Sequence, residues 1–390
     1  MKNFLIILLT AIILVLGSFF ILNLFFDFTG KQENEKNTAS SKTVIKEMPT
    51  SNSEEVDHSV KEKLKNMSLE EKVGQLFFVR VPEQNQVQDI ETYHLGGYVL
   101  FGRDMENETK ESLIEKIKSY QDASDIPLLI GSDEEGGTVT RLSQNANLIT
   151  APFASPQALY EAGGFAAIKS DTISKAKILH EFGINAGLFP IADVATDPNA
   201  FIYDRTIGLD EEETSEYVTT VVKALAAEKS GSTLKHFPGY GNNRDSHVEI
   251  VHDTRSLQEL RQTDFKPFKA GIKAGADSIL VSHNIITHID QTKPASISKP
   301  VHDVLRNELG FKGVIMTDDM DMAGLADFIS QAEAGLAALQ AGNDLIMSSS
   351  YQVQIPTILA AIKAGKYAES DLDTAVVRVL TWKKELGLLN

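Results

Sequence analysis

The sequence predicts an α/β protein, a single (β/α)8 barrel of the TIM type preceded by an N-terminal transmembrane helix and a flexible tether. Three observations carry this expectation. From about Val60 to the C-terminus, short apolar runs alternate with longer amphipathic segments. Residues 4–26 contain no charged side chain. The stretch that follows is rich in Lys, Glu, Ser, Asn and Thr and has no apolar period. The division read from them is an anchor over 1–28, a disordered tether over 29–57 and one folded domain over 58–390.

The anchor comes first. At about 1.5 Å per residue, some 20 apolar residues cross a bilayer core of roughly 30 Å. Lys2 and the amino terminus precede the stretch, whereas Asp27, Lys31, Glu33 and Glu35 follow it. This charge bias places the short N-terminal side in the cytoplasm and the folded domain beyond the membrane. A cleaved signal peptide has a shorter apolar region, about 7–15 residues, ending in small side chains. Here the stretch ends Asn23-Leu24-Phe25-Phe26-Asp27, which favours retention. The polar segment after it cannot bury enough apolar surface to order itself and reads as a tether.

In the folded part the apolar runs are 76–81, 97–101, 127–132, 184–191, 233–237, 278–282, 313–317 and 344–348. Continuous apolar runs of this length suit strands buried on both faces, as in a parallel sheet. Helical patterns separate them at 110–123, 171–182, 210–229, 257–274, 298–309 and 329–341, and a last pair covers 353–364 and 370–388. Eight such units fit a closed barrel better than an open sheet, and no glycine-rich phosphate fingerprint follows the first run. The formal net charge of -17, without a long Lys/Arg cluster, argues against a nucleic-acid partner. With no cysteine in the chain, disulfides, thiolate metal sites, cysteine nucleophiles and lipid attachment through an N-terminal cysteine are all excluded.

A barrel of this kind places its chemistry at the C-terminal ends of the strands. The residues after the third run are Asp133-Glu134-Glu135-Gly136-Gly137 and then Arg141. Asp193 and Asp204-Arg205 follow the fourth, and Lys235-His236 end the fifth. His283-Asn284 follow the sixth, and Asp318-Asp319-Met320-Asp321 the seventh. Directly after an apolar strand, Asp318 should point its carboxylate into the mouth, where it can act as a nucleophile or cap the next helix. For Asp319 the cap is the favoured reading. Asp245 and His247 are two apart, so in an extended segment they face one side and can hydrogen-bond, giving an oriented imidazole able to move protons. The same pair also fits a solvated loop, and the preceding Pro238-Gly239-Tyr240-Gly241 reads as a hinge. Lys235, His236, Asp133, Arg141 and Arg205 can fix sugar hydroxyls, or form ion pairs at the rim. Two other chemistries stay open on these residues. One is a divalent cation on Asp318, Asp319, Asp321 and His283; the other is a Schiff base on Lys235.

Lys235-His236-Phe237-Pro238-Gly239-Tyr240-Gly241 followed by Asp245-Ser246-His247 resembles the signature loop of glycoside hydrolase family 3, and within it the bacterial β-N-acetylglucosaminidase (β-N-acetylhexosaminidase) branch. The segments 95–103, 133–137, 203–205 and 310–318 fit the same pattern. The resemblance implies retaining exo-hydrolysis of non-reducing terminal β-N-acetylglucosamine, from peptidoglycan fragments or other cell-wall glycans. It implies Asp318 as nucleophile, His247 as acid/base and Asp245 as its partner. Asp133, Arg141, Arg205, Lys235 and His236 would hold the terminal sugar. No metal or organic cofactor is expected, and the chain is expected to be a monomer whose partners are its carbohydrate substrate and the membrane. Tyr240, Asn242 and Thr138 depart from the pattern, which often has Gly-His-Gly-Asp in the loop and Arg after the paired glycines. The alternatives to this reading are a β-glucosidase type of hydrolase and a catalytically silent wall-glycan-binding protein.

Overall fold

The computed structural model describes residues 52–389. The expected anchor lies outside the described residues, as does the tether up to residue 51. The remainder of the tether segment is not a coil: a helix runs Asn52–Lys65, across the boundary expected after residue 57. Its Glu and Lys content favours helix, and Val60 on it is buried. Among the described residues, no helix is long and apolar enough to cross a membrane.

Each of the eight apolar runs contains a strand. These are β1 (Phe77–Arg80), β2 (Gly97–Leu100), β3 (Leu129–Ser132), β4 (Ala186–Gly187) and β5 (Thr233–Phe237). After the short β6 (His252–Asp253) come β7 (Ser278–Val281), the equally short β8 (Ile285–Ile286), β9 (Val314–Thr317) and β10 (Ile346–Ser348). All pairings are parallel. One sheet has the order β10-β1-β2-β3-β4, a second β5-β7-β9, and β6 pairs with β8 apart from both. Isolated parallel bridges Ala186↔Gly231 and Ile191↔Lys235 join the β4 segment to β5, and Met316↔Leu345 joins β9 to the approach of β10. The order of neighbours thus runs from β1 through β9 and returns to β1. Strand residues such as Phe77, Phe78, Val79, Tyr98, Ile130, Leu234, Ile279, Ile315 and Ile346 are fully buried, each large one contributing about 1.5–3 kcal/mol by leaving water.

The helices follow local rules at their starts and tertiary ones in their interiors. Lys110–Asp122 begins at Thr109, whose side chain accepts the Ser112 N–H, and buries Leu113, Ile117 and Tyr120 along one stripe. Glu211–Ala227 is capped by Asp210 and carries three glutamates in its first turn, where the helix dipole favours them. The pattern at 171–182 proves to be the second half of Pro156–Glu181, a helix kinked at Gly163 and Gly164. The pattern at 257–274 is divided into Leu257–Gln262 and Phe265–Ala274. Asp264 sits in the gap, buried against the Arg255 guanidinium at 2.8 Å, and that pair overrides the continuous helical period. The segment 298–309 likewise changes pitch, from α over Lys299–Asp303 to π over Val304–Glu308. The last helix, Glu369–Glu385, packs on Asn52–Lys65.

Candidate active site

The segment after β3 turns three consecutive acids to different tasks. Glu134 is fully buried and faces back into the loop, accepting from the Ser132 hydroxyl at 2.9 Å, the Leu142 N–H at 2.7 Å and the Arg141 N–H at 3.2 Å. Burial raises its carboxyl above the usual carboxylate range despite these bonds. By folding residues 133–142 on themselves, Glu134 returns Arg141 to Asp133, and the Arg141 Nη2 lies 3.1 Å from Asp133 Oδ2. Asp133 and Glu135 point the other way and share Lys235, whose Nζ is 2.6 Å from Asp133 Oδ1 and 2.7 Å from Glu135 Oε1. Arg205 closes on Glu135 with two parallel bonds, Nε to Oε2 at 2.9 Å and Nη2 to Oε1 at 2.8 Å.

The electrostatics follow from that packing. Burial alone would raise both acids, but Lys235 and Arg141 hold Asp133 far below its ordinary value. For Glu135, Arg205 and Lys235 likewise outweigh burial and bring it to about 2. Burial works against the Lys235 ammonium, yet the two carboxylates raise it, so it stays protonated. With a carboxylate on each side of its Nζ, Lys235 is engaged as an ion-pair donor, which counts against the Schiff-base reading.

His236, next to last in β5, follows Lys235 through a cis peptide bond. Its ring Nδ1 is 2.8 Å from Asp193 Oδ2 and its Nε2 is 3.1 Å from Arg205 Nη2. An Arg N–H can only donate, so Nε2 accepts and the proton belongs on Nδ1, facing the carboxylate. Burial and then the Arg205 charge keep this imidazole neutral. Asp193 also takes the backbone N–H groups of His236 at 3.0 Å and Tyr240 at 2.7 Å.

Two strands from β5 in the same sheet, the end of β9 delivers Asp318. Its Oδ1 accepts the Asp319 N–H at 2.9 Å. Oδ2 is buried and has no hydrogen-bond partner among the described residues. Burial pushes this carboxyl up, but His236, His247 and His283 together bring it below the ordinary value. His236 and His283 are themselves driven toward the neutral form by burial. His247, when protonated, is then the nearby full charge that favours the anion. The His247 Nδ1 lies 2.5 Å from Asp245 Oδ1, which also accepts the His247 N–H at 2.8 Å. The expected pairing is therefore present, but in a turn rather than an extended segment, with the aspartate binding the backbone two residues on. The His247 side chain is 40% exposed, leaving the rest of its ring free to meet a ligand.

A cleft of about 190 Å³ gathers these groups: Asp133, Arg141, Arg205, Lys235, His236, His247 and Asp318 all line it. Asp245 stands behind His247 and does not line it. Sequence reasoning missed several neighbours. Arg80 lines the cleft and ion-pairs with Asp319. Phe101 lies between two guanidinium groups, Arg80 at 4.9 Å and Arg141 at 5.5 Å from its ring centre. Both residues sit at strand ends, so the rule that found Asp318 could have found them. The bonds that Glu135 makes to Arg205 and that Asp193 makes to His236, behind the cleft lining, had no local signal.

Asp319 is not the helix cap it was expected to be. Met322 occupies the cap position of Ala323–Ala326, without a side-chain cap bond. The Asp319 carboxylate instead accepts the Asp321 N–H and pairs with Arg80. The groups of the metal reading also diverge. Asp321 serves the Ser349 N–H and the Ser350 hydroxyl, while His283 lies 2.7 Å from the Ser296 hydroxyl and 2.9 Å from the Asp319 carbonyl. Among the described residues, no group of three or more His, Asp or Glu is arranged to hold a metal ion.

Comparison with known proteins gives the family. Residues 68–382 match the family described as the glycosyl hydrolase family 3 N terminal domain. A "Beta-hexosaminidase" of Xanthomonas campestris pv. campestris is 34% identical over 259 residues, which cover 65% of this chain and 76% of that protein. "Beta-hexosaminidase LpqI" of Mycobacterium tuberculosis is 29% identical over 330 residues, covering 81% and 83% of the two chains. Among solved structures, that of M. tuberculosis LpqI superposes with a TM-score of 0.74 at 28% identity, over 81% of this chain and 94% of that one. A family 3 β-N-acetylglucosaminidase from Paenibacillus sp. str. FPU-7 gives 0.77 at 27% identity, over 83% of this chain and 63% of that one. This chain therefore spans less than two thirds of the solved Paenibacillus chain but 94% of the solved mycobacterial one. The chain belongs to glycosyl hydrolase family 3.

Proposed function

We propose that this protein is a retaining β-N-acetylhexosaminidase that removes non-reducing terminal β-N-acetylglucosamine. The observation that carries this reading is the pairing, in one cleft, of an Asp318 carboxyl having one oxygen unpartnered among the described residues with an imidazole held by a carboxylate, Asp245–His247. The names of the family relatives support the choice of sugar. The returning order of strands supports a closed (β/α)8 barrel with the cleft at the C-terminal ends of its strands.

In the first step Asp318 Oδ2 attacks the anomeric carbon and the bond to the leaving oxygen breaks. His247, protonated, gives that oxygen its proton, and a glycosyl ester of Asp318 remains. In the second step the neutral His247 takes a proton from water, the hydroxide oxygen attacks the anomeric carbon, and Asp318 leaves as the carboxylate. Asp245 fixes the ring through Nδ1 and stabilises the imidazolium. A histidine in this role adds no second negative charge beside Asp318. Asp133, Arg141, Arg205, Lys235 and His236 hold the terminal sugar. Their mutual ion pairs set them in place before the sugar arrives, so little ordering remains to be done on binding.

The charge-free stretch at residues 4–26 and the acidic residues after it support a membrane-tethered enzyme acting on wall glycans, peptidoglycan fragments among them, outside the cytoplasm. The test is to assay the purified protein on an aryl β-N-acetylglucosaminide and the matching aryl β-glucoside, with Asp318→Asn as control. Release from the first alone, lost in the variant, is expected. Release from the glucoside alone would make it a β-glucosidase type of enzyme, and sugar binding without release from either would make it a glycan-binding protein.

A further inference from the structure

The loop that carries Asp245 and His247 is docked at more points than a solvated turn needs. Tyr240 and Ser246 are both fully buried, and their hydroxyl oxygens are 2.5 Å apart. Burial raises the Tyr240 phenol, so it keeps its proton. The Tyr240 ring packs edge-on to two neighbours, His236 with centres 5.2 Å apart and Phe201 at 5.5 Å. Phe201 in turn meets the His247 ring at 6.1 Å. The backbone is gripped as well. The Gly324 N–H donates to the Ser246 carbonyl at 3.1 Å and the Ala323 N–H to that of His247 at 3.3 Å. A Cβ at Gly324 would stand 2.5 Å from the Ser246 oxygen, so only glycine lets the loop approach this closely. Ala323 and Gly324 lie just beyond Asp318 in the chain, so the dyad is moored to the segment that follows the proposed nucleophile.

We propose that Tyr240 is a positioning residue whose hydroxyl, through Ser246, latches the Asp245–His247 dyad over Asp318. Tyr240 touches His236 on the sugar side with its ring and Ser246 on the dyad side with its hydroxyl. It therefore relates the position of the proton carrier to that of the terminal sugar. The inference rests on the reading of His247 as acid/base. The tyrosine stands where the family pattern often has histidine, so the latch belongs to this chain's own loop.

The test uses Tyr240→Phe, which keeps the ring and removes the hydroxyl, and Ser246→Ala, which removes its partner. For aryl β-N-acetylglucosaminides, kcat/KM is measured with an activated leaving group and with a poor one. Loss of a buried hydrogen bond predicts a roughly 10-fold fall for the poor leaving group and less than about 2-fold for the activated one. The double variant should lose little more than either single one, because both remove the same bond. Hydrogen exchange at the amides of Ser246 and His247 should quicken in Tyr240→Phe far more than elsewhere, while the midpoint of thermal unfolding falls by only a few degrees. Equal losses for both leaving groups, additive losses in the double variant, or unaltered exchange would each overturn the latch. A parent protein inert toward all these glycosides would overturn the functional reading instead, and hydrogen exchange would still decide whether Tyr240 holds the loop.

Discussion

Asp193 holds His236 twice, with one oxygen, Oδ2, lying 2.8 Å from the ring Nδ1 and 3.0 Å from the backbone N–H of the same residue. The aspartate itself lies outside the cleft lining, so its influence on a bound sugar passes through the imidazole it orients. Burial pushes its carboxyl up to about 6, against the pull of the Tyr240 N–H and Arg205.

That value predicts an acid limb. As pH falls through about 6, Asp193 takes a proton and its grip on His236 and Tyr240 weakens, so kcat/KM should decline on that side. A carboxyl whose folded value lies above its unfolded one adds stability as pH falls between the two, so this decline does not come from unfolding on its account. In Asp193→Asn the inflection near 6 should vanish from the pH profile, with kcat/KM lowered on the order of 10-fold throughout. An unchanged inflection would assign it to another group.

His247→Ala should separate substrates by leaving group. A poor leaving group needs the proton, and its kcat/KM is expected to fall on the order of 10²–10⁴-fold. An activated phenolate should be hurt far less in the same measure. Equal losses in a steady-state comparison would make His247 a spacer for the loop instead of a proton carrier.

Glu135 is predicted to be a stability residue as well as a site residue. Its carboxylate faces Arg205 and Lys235 in a buried network, and Glu135→Gln removes charge from two cations that remain buried. The expected cost is about 3–5 kcal/mol, read as a fall in the urea midpoint. With a folded value of about 2, below the unfolded one, its contribution is present above the unfolded value and is lost as pH falls through about 2. A variant as stable as the parent at pH 7 would place the network's worth in specificity alone.

Lys383 offers a test far from the cleft. Its Nζ is fully buried with one neutral acceptor, Gln75 Oε1 at 2.6 Å, and burial followed by the Lys63 charge lowers it to about 7. Between about 7 and the ordinary lysine value the unfolded chain binds the extra proton, so stability should rise with pH across that window. Lys383→Met should be more stable than the parent at pH 6 and should flatten the rise between pH 7 and 9 in chemical melts. A parent curve already flat there would mean that the amine finds water or a counterion.

Eight strands were legible because a strand buried on both faces must be apolar throughout, and the runs at 76–81 and 344–348 say so without reference to each other. Their ends made Asp133 and Asp318 legible too, since an acid directly after such a run has little choice but the mouth, and Lys235 stood out as a lysine within an otherwise strand-like run. The partners across the cleft were not legible. Lys235 reaches Asp133 over 102 positions and His236 reaches Asp193 over 43, distances at which no local pattern operates. Asp319 shows the cost of trusting a local rule alone. Its position suits a helix cap, but Arg80 from β1 claims the carboxylate.

The Arg80–Asp319 pair spans 239 positions, from the first strand of the chain to the residue that gives its N–H to Asp318. A chain still being made has β1 long before it has β9, and until both exist the proposed nucleophile has neither its strand nor its support. Any fragment cut between them should be inert on its own, and two complementary fragments should recover turnover only by reassembling. Hydrolytic power is therefore expected only once β9 has joined β1 in the fold, late in the making of the chain.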